Sequence, residues 1–197
     1  MLLLAVFLTF ATRFYNLGIV PAGLYLDEAA QGYNAYSILL TGKDEFGKIF
    51  PAAFRSFADF KTPVYIYLIV PLIPLFGLTA FTVRFPSFLA SVLTIPVLFL
   101  LIRKLIPNQK LGLPLSSLTV LLLAISPWHI LFGRTNFETN VALLFFLTGI
   151  YLFYLGLVKP LYLILSGIVL ANSSSWRAQR TQVPLRKSFS PCWRLVV

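Results

Sequence analysis

The chain has 197 residues, of which 58% are hydrophobic and 11% charged, with a formal net charge of +10. A soluble domain carries about a quarter charged residues, so the composition excludes one and indicates an all-α, polytopic membrane protein; the single cysteine, Cys192, excludes an internal disulfide framework. Nucleic acid is excluded as a partner despite the charge, because the basic residues are scattered between apolar segments without an aromatic–basic RNA-binding pattern.

The first apolar segment runs from about Leu2 to Tyr15, with Arg13 near its end and placed to snorkel to the interface. It lacks the basic start and small-residue cleavage site of a signal peptide and reads as a membrane anchor. A polar loop follows, over about residues 16–62. It holds five of the six acidic residues: Asp27, Glu28, Asp44, Glu45 and Asp59. Asp27 is expected to cap a helix from Glu28 to Thr41. In that helix Ala29, Tyr33, Tyr36 and Leu40 form an apolar-aromatic face suited to the membrane interface. Between Asp27 and Asp59 one or two such interfacial helices are expected, with a solvated turn at residues 43–48.

Pro63 opens a second apolar run, Val64 to Phe81, expected to span with kinks at Pro71 and Pro74. Spans three to five are placed at Phe85–Ile102, Leu113–Ile125 and Val141–Val158, giving about five in all. A sixth begins at Leu161 and reaches only Ala171, about half of the ~20 residues a span needs. From Asn172 the composition becomes polar and basic, with five of the sixteen basic residues and no acid. Residues 1–171 therefore read as a partial membrane module and 172–197 as a basic tail, disordered or not the native continuation. Simple alternation of the five spans puts Arg103, Lys104 and Lys110 on the outer side, against the positive-inside rule, so one apolar segment is an exception or does not cross.

The residues able to do chemistry are few. His129, the one histidine, stands beside Pro127-Trp128 and suits a structural role. There is no glycine-rich phosphate loop, metalloprotease motif or nucleophilic serine motif. What remains is Asp27 with Glu28, Asp59 with Lys61, Arg84, and Arg134 with Glu138. Carboxylates and cations beside a membrane suit deprotonation of an acceptor by a carboxylate, with cations holding an anionic phosphate.

Several of these stretches resemble a family. Phe14-Tyr15-Asn16-Leu17-Gly18, Tyr25-Leu26-Asp27-Glu28-Ala29, Phe60-Lys61-Thr62-Pro63, Arg84-Phe85-Pro86-Ser87 and Ser126-Pro127-Trp128 are similar, in order and spacing, to the N-terminal part of the GT-C membrane glycosyltransferases. The branch they resemble is that of the protein mannosyltransferases and aminoarabinose transferases, over about Phe14 to Val158. The resemblance implies a polyprenyl-phosphate-linked sugar as donor, a protein, lipid or glycan acceptor, and transfer on the outer face of the bacterial membrane or in the lumen of the endoplasmic reticulum; for this chain a bacterial or archaeal plasma membrane is expected. It maps the family's acidic motif to Asp27 and Glu28 and its phosphate-contacting lysine to Lys61. Arg84 and Arg134 are further candidates to bind donor phosphate, and Asp59 and Glu138 to support the site. Related transferases often carry an acid directly before the lysine; here Phe60 stands there and Asp59 one residue earlier. A divalent metal ion near Asp27 is left open, and no other cofactor is implied. Family members are longer, so this chain is expected to be a truncated module, inactive alone. The rival readings are a transporter fragment and a non-catalytic membrane subunit; transporters place their charges at the midplane, whereas these acids share one loop.

Overall fold

A computed structural model of the chain describes residues 1–56, 59–106 and 114–174. Lys110 and the tail beyond Ser174 lie outside the described residues. The molecule is an all-α membrane-type bundle whose loop side carries the polar residues.

Helix α1, Leu2–Phe14, delivers the chain to that side. Arg13 does not snorkel. It is buried between α1 and two later helices, where it donates to the Ala124 carbonyl and to Nδ1 of His129, at 3.1 and 2.7 Å. Phe10 and Phe14, both exposed on α1, pack on Phe88.

Helix α2, Leu26–Thr41, begins two residues earlier than expected, and its cap residue is Tyr25, not Asp27. The Glu28 carboxylate reaches back one turn to accept the Tyr25 backbone N–H at 3.1 Å, half of a capping box. Gly42, in the left-handed region at φ 69°, ends the helix. The helix is inverted relative to a soluble amphipathic one. Glu28, Gln31 and Asn34 lie on its buried face, and Ala29, Tyr33, Tyr36 and Leu40 on its exposed one, as an interfacial helix requires. Of the one or two interfacial helices expected between Asp27 and Asp59, α2 is the one present among the described residues. A two-stranded hairpin follows it, β1 (Phe54–Ser56) with β2 (Asp59–Lys61), in the register Phe54 to Lys61.

The run expected to be the second span is broken and is shorter than a span. It forms α3 (Pro63–Ile69), a 3₁₀ turn (Val70–Leu72) and α4 (Ile73–Phe76). Pro71 and Pro74 withdraw two N–H donors from the helix ladder and break it. Both ends of this segment sit on the loop side. Lys61 before it meets Asp27 of α2, and Phe81 after it packs against Gly18.

Helix α5, Ala80–Leu105, is the spine and packs on α1, α2, α3 and the helices that follow. Its 26 residues carry the chain ~39 Å, from Arg84 at the first loop to Arg103 and Lys104 at the far side. Helices α6 (Leu115–Ile125) and α7 (Pro127–Arg134) return with a 58° bend at Ser126-Pro127. Helix α8, Glu138–Gly156, crosses again, and α9, Leu161–Ser174, lies against it and continues three residues past Ala171. Glycines permit the α8–α9 contact: a Cβ on Gly149 would stand 2.6 Å from Leu170 Cδ2. Among the described residues two helices, α5 and α8, are long and apolar enough to cross a membrane, or three if α6 and α7 form one bent span. Helices α1 and α9 run beside them but have 13 and 14 residues.

The larger apolar core joins α2, α3, α5 and α8 through Ala35, Tyr65, Ile66, Ile69, Val83 and Val141. Polar side chains tie α5 to its neighbours: Ser87 donates to the Phe132 carbonyl, and Asn140 donates to the Ser87 carbonyl and to Ser91 Oγ. Such bonds are a way for membrane helices to associate where lipid removes the hydrophobic driving force.

Candidate functional site

Asp27 and Glu28 are adjacent on the first turn of α2, so they point about 100° apart. Glu28 faces inward and is buried. Its carboxylate makes a two-point contact with the Arg84 guanidinium, Nε to Oε1 at 3.1 Å and Nη2 to Oε2 at 3.0 Å. It also accepts the Asn136 backbone N–H at 2.8 Å. Arg84 is buried too, and its remaining N–H groups go to the carbonyls of Leu17, Pro21 and Gly23. All five guanidinium donors are thereby used inside the protein, and none is left for a phosphate. The Glu28–Arg84 pair is a clasp that fixes the first loop, α2 and α5 to one another.

Asp27 faces outward. It is 56% exposed and pairs with Lys61, its Oδ2 3.1 Å from Nζ. Lys61 is 16% exposed and is aimed by its backbone on both sides. It ends strand β2, and the next residue, Thr62, donates both its backbone N–H and its hydroxyl to Glu138 Oε2. The other Glu138 oxygen accepts the Gln31 amide at 2.9 Å. Glu138 thus joins α2, the start of α3 and α8 at one point beside the Asp27–Lys61 pair.

Arg134 does not pair with Glu138. It donates to the carbonyls of Thr12, Tyr15 and Val20 and holds the end of α1 and the first loop. Asp59 enters the hairpin through its backbone, opposite Ser56; its side chain lies outside the described residues. Of the candidates named from sequence, Asp27, Glu28, Lys61, Arg84 and Glu138 are gathered in one place, and Arg134 stands to one side. Sequence reasoning missed Thr62, Gln31 and Asn136. Thr62 carried a signal, a threonine directly before the proline that opens a helix. The other two carried none, since Gln31 meets its partner 107 residues away.

Two cavities meet here. One of about 270 Å³ has the polar side chains of Asp27, Lys61, Gln31, Asn136 and Glu138 in its wall, with Tyr25 and Phe137 beside them. An apolar groove of about 900 Å³ runs between α3, α8 and α9, past Val64, Leu143, Phe146 and Leu170. Glu138 and Thr139 line both. Among the described residues no three His, Cys, Asp or Glu side chains come together, so a divalent ion at Asp27 would draw most of its ligands from outside the protein.

In comparison with known proteins, a family model described as dolichyl-phosphate-mannose-protein mannosyltransferase matches residues 60–177, more than half of the chain. The match includes Lys61, Arg84, Arg134 and Glu138 and begins after Asp27 and Glu28. No curated protein and no solved structure gives a significant match.

Proposed function

The chain belongs to the dolichyl-phosphate-mannose-protein mannosyltransferase family, and on that premise we propose that it is the membrane module of a glycosyltransferase that takes its sugar from a polyprenyl phosphate. The observation that carries this reading is the Asp27–Lys61 pair, set in the smaller cavity, which shares a wall with an apolar groove. A lipid-linked sugar has the same three parts in the same order: an apolar chain, a phosphate and a polar ring. The groove takes the isoprenoid chain, Lys61 the phosphate and the smaller cavity the sugar, for which the family's description names mannose.

The chemistry follows from the two charges. An acceptor oxygen attacks the anomeric carbon while the bond from that carbon to the phosphate oxygen breaks, and the electron pair leaves with the phosphate. Lys61, a compact cation, stabilises the charge that accumulates there. Asp27 receives the proton that the acceptor loses. In the empty site the two neutralise each other. An arriving phosphate takes over Lys61 and frees the Asp27 carboxylate for the acceptor.

Orientation is supported by the same contacts. Arg84 ties the start of α5 to the first loop, and α5 then carries Arg103 and Lys104 to the opposite side. The positive-inside rule places that end in the cytoplasm and the site on the extracytoplasmic face. On this reading residues 63–76 do not cross, and the conflict that simple alternation creates is removed.

Binding of a polyprenyl-phosphate mannose to the reconstituted chain tests the assignment of Lys61. Lys61→Ala is expected to weaken binding about 10–100-fold, the range for losing a charged hydrogen bond. Unchanged binding in an inserted protein would remove Lys61 from the site.

A further inference from the structure

Of the two acids in the loop after α2, Asp44 is buried and Glu45 is exposed, and both are bonded within the protein. Asp44 is buried, and its Oδ1 accepts the backbone N–H groups of Phe46 and Lys48 at 3.0 and 2.7 Å. Glu45 is tied to Asn34 by a reciprocal pair of bonds, 3.2 Å from Asn34 Nδ2 and 3.1 Å from its own N–H to Asn34 Oδ1. Both carboxylates are thus occupied by holding the loop in shape. The cations Lys43, Lys48 and Arg55 are exposed. Between them stand Phe46, Ile49 and Phe50, at 58%, 67% and 64% exposure. The Arg55 guanidinium lies 5.5 Å from the centre of the Phe46 ring.

The loop is also braced. Lys43 bridges Ile49 across it, and the Phe50 N–H returns to the Gly42 carbonyl at 3.1 Å. A braced loop that holds three large apolar side chains in water forgoes the gain of removing them from it. A ring of cations around such side chains is complementary to one environment already beside this protein, the headgroup layer of an anionic bilayer.

We propose that residues 43–55 form a lipid-docking tip. Phe46, Ile49 and Phe50 enter the interface, and Lys43, Lys48 and Arg55 bind the phosphates of anionic lipids. The inference rests on the chain being membrane-embedded and not on sugar transfer, so it stands or falls apart from the proposed function.

The test places a fluorophore on the tip of the full chain through Ile49→Cys in a Cys192→Ser background. Nanodiscs of phosphatidylcholine alone, or of equimolar phosphatidylcholine and phosphatidylglycerol, carry a nitroxide quencher at headgroup depth. A second label, through Ile164→Cys on the exposed side of α9, reports insertion and should be quenched alike in both. The tip is expected to be quenched at least about twofold more in anionic discs. Lys43→Ala, Lys48→Ala and Arg55→Ala together, or high salt, should bring it to the neutral level. No tip quenching in either disc, with the α9 label quenched, would overturn the proposal. Equal quenching in both discs, unmoved by removing the three cations, would overturn it as well.

Discussion

Asp27 and Glu28 carry the same charge one residue apart, yet their environments give them opposite duties. Glu28 is held by Arg84 and two backbone N–H groups in a buried clasp. Removing one partner of a buried pair leaves an uncompensated charge, at about 3–5 kcal/mol. Arg84→Ala should therefore lower thermal stability in detergent sharply. The Asp27–Lys61 pair is half in water, and exposed pairs contribute about 0–1 kcal/mol. Asp27→Asn should leave the melting temperature nearly unchanged. A stability loss at Asp27 as large as that at Arg84 would make it a second structural clasp. The scarcity of acids drew attention to both residues in the sequence. Their division of labour was not legible there, because it is set by Arg84, 56 residues away, and by which way each side chain leaves the helix.

Among the elements, the outer face of α2 was readable because Ala29, Tyr33, Tyr36 and Leu40 keep helical spacing. Its start was not, because Asp27 is a good cap residue and only the bond from Glu28 to the Tyr25 N–H shows where the turn closes. The β-hairpin was hidden in an aromatic-rich stretch without a Gly-containing turn signal. The 63–76 segment looked long enough to span, since hydropathy counts residues and does not register that two prolines shorten the helix. Two predictions belong here. Lys48→Cys, exposed on the loop, should react with a membrane-impermeant thiol reagent from the extracytoplasmic side alone; reaction from the cytoplasmic side alone would invert the topology. Asp44 and Gly47 are poorer probes, the first being buried and the second at φ 81°. Gly149→Val would drive a side chain into Leu170, separate α9 from α8 and cost about 1–3 kcal/mol. Because α9 walls the apolar groove, lipid-donor binding should weaken with it, whereas unchanged binding would detach the groove from the donor.

At the scale of the molecule, the loop side gathers the start of α2, Lys61 of the hairpin, the turn before α8 and the start of α8 around one cavity. The class of protein and most helices were legible because a bilayer demands long apolar runs. The cavity was not, because Gln31, Thr62 and Glu138 meet only after four elements have packed. The central claim is that Asp27 takes the acceptor proton while Lys61 holds the phosphate. The most direct measurement compares Asp27→Asn with the unaltered protein for donor binding and for sugar transfer, in a protein carrying this module that turns over. Donor binding should stay within about twofold, while transfer falls by about 10²–10⁴-fold, the usual worth of a general base. Transfer at the normal rate by an inserted Asp27→Asn protein would contradict the account and leave Asp27 with only its ion pair to Lys61.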